Sequence, residues 1–99
     1  MTRVVWTPQA REDLRRIRDY IAEDSLIFSK VFIERLTGSV TRLRRFPKSG
    51  RIVPEIGFEN IREIIITNYR IVYRVRKELV EILTVFHSSW TLGLRSIES

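Results

Sequence analysis

Apolar residues recur at Ala10, Leu14, Ile17 and Ile21, three or four positions apart, the repeat that lines one side of an α-helix. Arg11, Arg15, Arg16 and Arg18 cover its other sides. Thr7 suits the N-cap and Pro8 the first helical position, where a missing N–H costs nothing. Asp24-Ser25 interrupts and recaps, and a second apolar stripe runs through Phe28, Phe32, Leu36, Val40 and Leu43 until Pro47 stops it. The two stripes predict a long antiparallel helical hairpin. Ahead of it, Arg3 to Trp6 is β-branched and aromatic and reads as a short strand. Behind it, Pro47, Gly50, Pro54 and Gly57 mark a loop. The period then shortens to two, predicting strands over 61–66, 69–76 and 79–87 with turns at Thr67-Asn68 and Lys77-Glu78. The tail from Ser88, with Trp90, Leu92, Leu94 and Ile97, reads as a final short strand or an ordered arm. The fold class is α+β: one domain over residues 1–99, with an N-terminal strand and a two-helix antiparallel hairpin packed on a mainly antiparallel twisted β-sheet.

Two-residue turns set the register of the meander. Arg74 is then expected opposite Glu81, Tyr73 opposite Ile82, Arg70 opposite Val85, and Glu63 opposite Val72. One face collects Ile64, Ile66, Tyr69, Ile71, Tyr73, Val75, Val80, Ile82 and Phe86 and should pack on the helices. The other collects Glu63, Arg70, Arg74, Glu81 and His87 around Val72, Leu83 and Val85. A three-residue turn would flip one strand and separate His87 from Arg70. Arg62 falls on the apolar face in this register, near an edge.

Composition narrows the partners. The net charge is +6 and the pI about 10.5, which favours a polyanion or an acidic protein. All but three of the eighteen basic residues are arginine, the side chain that grips phosphate and carboxylate bidentately. Arg35, Arg42, Arg44, Arg45, Lys48 and Arg51 follow one another with no acid between them. Such a run is a solvated helix end, a nucleic-acid rim or the docking strip of an acidic partner. Absence of cysteine excludes disulfides and thiolate metal sites and fits a reducing cytoplasm. No apolar run is long enough to span a bilayer. No P-loop, dinucleotide fingerprint, metal site or serine triad is present.

His87 either ends a strand or serves proton transfer near neutral pH. Arg70 either pairs with Glu63 or Glu81 or clamps a phosphate. Glu55 is either a plain loop carboxylate or, in a constrained loop upstream of the arginine strand, a candidate general base.

Read in order, these residues resemble the RelE/ParE superfamily of type II toxin–antitoxin toxins, the plasmid stabilisation proteins. Trp6-Thr7-Pro8, Ala10, Asp13-Leu14, Tyr20-Ile21, Phe46-Pro47 and Gly50-Arg51-x-Val53-Pro54-Glu55 carry the first part of the likeness. Arg62-Glu63, Tyr69-Arg70-Ile71-Val72-Tyr73 and Ile82-Leu83-x-Val85-x-His87 carry the second. The resemblance implies a cytoplasmic, growth-arresting toxin without cofactor, neutralised by a cognate antitoxin whose often acidic segment wraps it. RelE-type members are ribosome-dependent mRNA endoribonucleases in which the 2′-hydroxyl attacks the adjacent phosphate. On that pattern Glu55 would be the base, Arg70 the phosphorane stabiliser and His87 the acid. Lys48 and Arg51 would hold RNA, on a basic surface with Arg42, Arg44, Arg45 and Arg74. ParE-type members inhibit DNA gyrase and need no catalytic set. The C-terminal tyrosine of several RelE-type enzymes is replaced here by Ser88-Ser89-Trp90, and the long hairpin is nearer the ParE kind. The presence of Glu55, Arg70 and His87 together tips the expectation toward the ribonuclease, with gyrase inhibition or an inactive relative as alternatives.

Overall fold

The structure is a computed structural model and describes residues 2–89. Strand β1, Arg3–Trp6, leads into Thr7, whose hydroxyl accepts the Ala10 N–H and so caps helix α1, Pro8–Ala22. The same hydroxyl donates to the Ile82 carbonyl at 2.7 Å, so the cap also fastens the helix to the sheet. Ser25 caps helix α2, Leu26–Thr41, through the Phe28 N–H. Where the helices cross, buried Ser29 donates to the Arg18 carbonyl at 2.6 Å.

Helix α2 ends six residues short of Pro47. A single 3-10 turn, Arg42–Arg44, carries Leu43 into the core and bends the chain toward the sheet, so the apolar stripe outlasts the α-helix. Strand β2, Arg51–Ile52, lies inside the expected loop and is too short to show a period. Strands β3, Ile61–Ile66, β4, Tyr69–Arg76, and β5, Leu79–His87, match the expected boundaries. The sheet order is β1-β5-β4-β3-β2, with β1 parallel to β5 and the other neighbours antiparallel. Residues of the tail singled out above lie outside the described residues, apart from Ser88 and Ser89.

The expected register holds from the β4–β5 turn as far as Tyr73 opposite Ile82, then slips by one. Val72 faces Thr84, Ile71 faces Val85, Arg70 faces Phe86 and Tyr69 faces His87, so Leu83 is the extra residue of a β-bulge. Past that point Val85, Phe86 and His87 are on the faces opposite to the expected ones. Val85 joins the helix-side core with Leu36, Val40, Ile71, Tyr73 and Ile82. Phe86 joins a second core on the far face with Val53, Ile61, Val72 and Leu83, closed by the loop after β2. Each such aliphatic or aromatic burial is worth roughly 1.5–3 kcal/mol, so both faces of the sheet contribute to stability. Arg62 is at the helix-side edge, where Nη1 donates to the carbonyls of Gly50 (2.9 Å) and Lys48 (3.3 Å).

Candidate functional site

Arg70 enters the far face of the sheet from the second position of β4, with the Phe86 ring 5.1 Å from its guanidinium carbon. Its two terminal nitrogens donate to both oxygens of Glu55, at 2.6 and 2.7 Å, and Nε donates to Glu63 at 2.6 Å. Arg51 Nε completes the chain of charges, donating to the other Glu63 oxygen at 2.6 Å. The Glu63 side chain is 0% exposed, Arg70 7%, Glu55 28% and Arg51 57%, so the network runs from core to solvent. The hydrogen bonds that Arg70 donates to Glu55, together with that to Glu63, raise its pKa against the opposing effect of burial. Three of the five guanidinium N–H donors are engaged, Glu55 spanning the two terminal nitrogens and Glu63 holding Nε, so a phosphate reaching this fork competes with two carboxylates. The arrangement pins the loop bearing Glu55 over the second core.

His87 lies on the opposite, helix-facing side. Its ring meets Tyr69 edge-on at 5.5 Å, and the Tyr69 ring in turn lies tilted against Phe32 at 5.5 Å. Nδ1 accepts the Ser89 N–H at 3.1 Å and lies 2.7 Å from the Ser89 hydroxyl. Beside it opens a cavity of about 620 Å³ lined by Asp13, Arg16, Tyr20, Tyr69 and His87 among others. The expected face uniting Arg70 with His87 is therefore corrected. Glu55, Arg70, Glu63 and Arg51 come together, His87 does not, and the sheet stands between them. The bulge at Leu83 is the physical reason.

The basic candidates separate as well. Lys48 pairs with Glu59 at 3.2 Å, and Arg74 lies 3.5 Å from Glu81, which also binds Arg76. Arg42, Arg44 and Arg45 are exposed around the 3-10 turn, with no described carboxylate within ion-pairing reach. The Thr2 N–H holds that turn by donating to the Arg44 carbonyl.

Asp13 was not singled out for chemistry by the sequence. Its Oδ2 accepts the Thr84 hydroxyl at 2.5 Å and the Val85 N–H at 3.0 Å, groups that β1 ends too soon to reach. Nothing in the spacing of α1 marks this contact, because it depends on the bulge.

The described residues contain no helix long and apolar enough to cross a membrane. Residues 4–90 match the family model of the ParE toxin of the type II toxin–antitoxin system parDE. Toxin RelE2 of Caulobacter vibrioides is 33% identical over 90 residues, covering 90% of this chain and 98% of that protein. Among solved structures, the chromosomal ParDE toxin–antitoxin system from P. aeruginosa superimposes with a TM-score of 0.74 at 20% identity, over 88% of this chain and 96% of that one. A chain of the RelBE2 toxin–antitoxin complex from Mycobacterium tuberculosis gives a TM-score of 0.54 at 20% identity, over 87% and 90%. With its hairpin-on-sheet fold and a family match over most of its length, the chain belongs to the ParE toxin family of type II toxin–antitoxin systems, within the RelE/ParE superfamily.

Proposed function

We propose that this toxin arrests growth by binding a protein target, in the manner of the ParE-type inhibitors of DNA gyrase, and that a cognate antitoxin neutralises it. One observation carries the choice over the ribonuclease: Arg70 is locked between Glu55 and Glu63 on the face of the sheet opposite His87. In-line attack by a 2′-hydroxyl needs base, phosphorane stabiliser and acid around one phosphate, each within about 3 Å of its atom. A phosphate at His87 is screened from the Arg70 guanidinium by the sheet, and one at Glu55 meets a carboxylate already committed to Arg70. The family match to ParE supports the same reading.

The test is to add purified toxin to DNA gyrase and to follow supercoiling and trapped cleaved DNA, while sequencing ribosome-bound transcripts from cells expressing it. Loss of supercoiling or accumulation of cleaved DNA, with intact transcripts, is the expected result. Codon-aligned transcript cuts with gyrase unaffected at large toxin excess would overturn it. Replacement of His87 by alanine is expected to leave growth arrest within about twofold of the parent, since no proton transfer depends on it.

A further inference from the structure

Helix α2 packs on α1, the 3-10 turn and β3, and buries Ser29, Phe32, Leu36 and Val40. Its opposite side carries apolar residues too, where a helix with one contact face would be polar. Ile27, Val31, Glu34 and Gly38 follow one another at steps of four, three and four, which sets them on a single line down that outer side. Ile27 is 80% exposed and Val31 55%, with Leu26 and Phe28 exposed beside them.

Gly38 lies on the same line and has no cause within the chain. Glycine weakens a helix interior, because the unfolded chain has more freedom to lose there. At Gly50 a close contact explains the residue, with the Glu63 carbonyl and the Tyr73 hydroxyl against it. A Cβ on Gly38 would meet nothing within 4 Å. Room kept on an exposed helix is room for a second molecule to come close.

Charge identifies that molecule. Lys30 borders the line and Glu34 lies on it, and neither has an ion pair among the described residues. In a two-fold contact, residue i meets j and j meets i. Two antiparallel copies of α2 then bring Ile27 of each over Gly38 of the other, and Lys30 of each beside Glu34 of the other. Parallel helices would instead set Lys30 against Arg35, two cations. The segment Leu26 to Glu34 carries one cation and one anion, so two chains of net charge +6 meet there with less repulsion than across the arginines of α1.

We propose that the outer face of α2 pairs two copies of this chain, antiparallel, about a two-fold axis passing between Val31 and Glu34. One helix face is smaller than the roughly 800 Å² per partner of a stable complex, so the dimer is a weak one, with a dissociation constant of order 10–100 µM. Such pairing requires neither the gyrase target nor the antitoxin.

Sedimentation equilibrium of the full chain, from about 5 µM to about 1 mM, measures it. Gly38→Gln places a good helix former at an open position. It is expected to raise the melting temperature of the dilute, monomeric protein and yet to weaken pairing at least about tenfold. Lys30→Glu is expected to weaken pairing by at least about tenfold, by setting acid against acid at both ends of the contact. Adding Glu34→Lys to it reverses both charges and is expected to bring pairing back to within about threefold of the parent. A monomer throughout that concentration range, parent-like pairing of Gly38→Gln, or no recovery in the reversed pair would overturn the proposal. If the toxin stays monomeric and Gly38→Gln weakens binding of the antitoxin instead, the face belongs to that partner and the dimer falls.

Discussion

Arg70 holds its position through charge rather than chemistry, and its removal has a calculable cost. Replacing it with methionine would leave Glu63, which has no exposed side-chain surface, with one buried oxygen unmatched and Arg51 as its remaining charged partner. Breaking one side of a buried pair costs about 3–5 kcal/mol, against a total stability of order 5–15 kcal/mol for a domain this size. Urea denaturation of Arg70→Met should show that loss, and any fall in growth arrest should follow the folded fraction. Tyr73 makes a second prediction. Burial raises its pKa above the ordinary value of about 10, opposed by the N–H of Gly50, which donates to the phenol oxygen at 2.9 Å. The unfolded phenol ionises first, so the stability this group provides is complete below about pH 10 and disappears as pH climbs through the folded pKa. Tyr73→Phe should therefore flatten the alkaline decline in melting temperature while costing about 1 kcal/mol at neutral pH from the lost bond. Gly50 is constrained by the same contact. A Cβ there would lie 2.5 Å from the Glu63 carbonyl oxygen and 2.6 Å from the Tyr73 hydroxyl. The β2 segment thus tolerates no side chain at that point.

The meander shows how far local rules reach. Three strands were readable to the residue, because alternation and turn positions survive in any tertiary setting. The hairpin was readable from its caps and stripes, except for its last turn, where Leu43 keeps the apolar spacing after the helix has tightened. The bulge was not readable, since Leu83 satisfies the alternation equally well as a paired residue, and one slip there reversed the faces of Val85, Phe86 and His87. With it went the expected site, although Glu63 beside Arg70 was placed correctly. Asp13 holds the slipped segment, and Asp13→Ala would leave the Val85 N–H and the Thr84 hydroxyl of a buried stretch unmatched. A destabilisation of about 1.5–3 kcal/mol is expected in a denaturant titration, from hydrogen bonds made to a charged acceptor. The β3–β4 turn offers the opposite sign. Thr67 is β-branched and adopts φ +54°, a left-handed conformation that costs an L-residue about 1–2 kcal/mol. Thr67→Gly should raise the melting temperature by several degrees, corresponding to a gain of about 1 kcal/mol after glycine's greater unfolded-state freedom is deducted. An unchanged or lower melting point would show that the turn carries no such strain.

With +6 net charge, the protein should draw an acidic partner from a distance. The association rate with the antitoxin is expected to fall at least about tenfold between roughly 0.05 and 0.5 M salt, while dissociation changes little; stopped-flow mixing would measure both. Chain connectivity has a different consequence. Strand β5 inserts between β1 and β4, so the first strand has no neighbour until the last one is made. Contacts between Val4 and Val80 span almost the whole described chain, which makes the topology slow to close. A nascent polypeptide halted before β5 can build the hairpin and pair β2, β3 and β4, but it leaves β1 without a neighbour and both cores incomplete. Whatever surface the finished sheet offers a partner is thus assembled only once β5 has slotted between its neighbours.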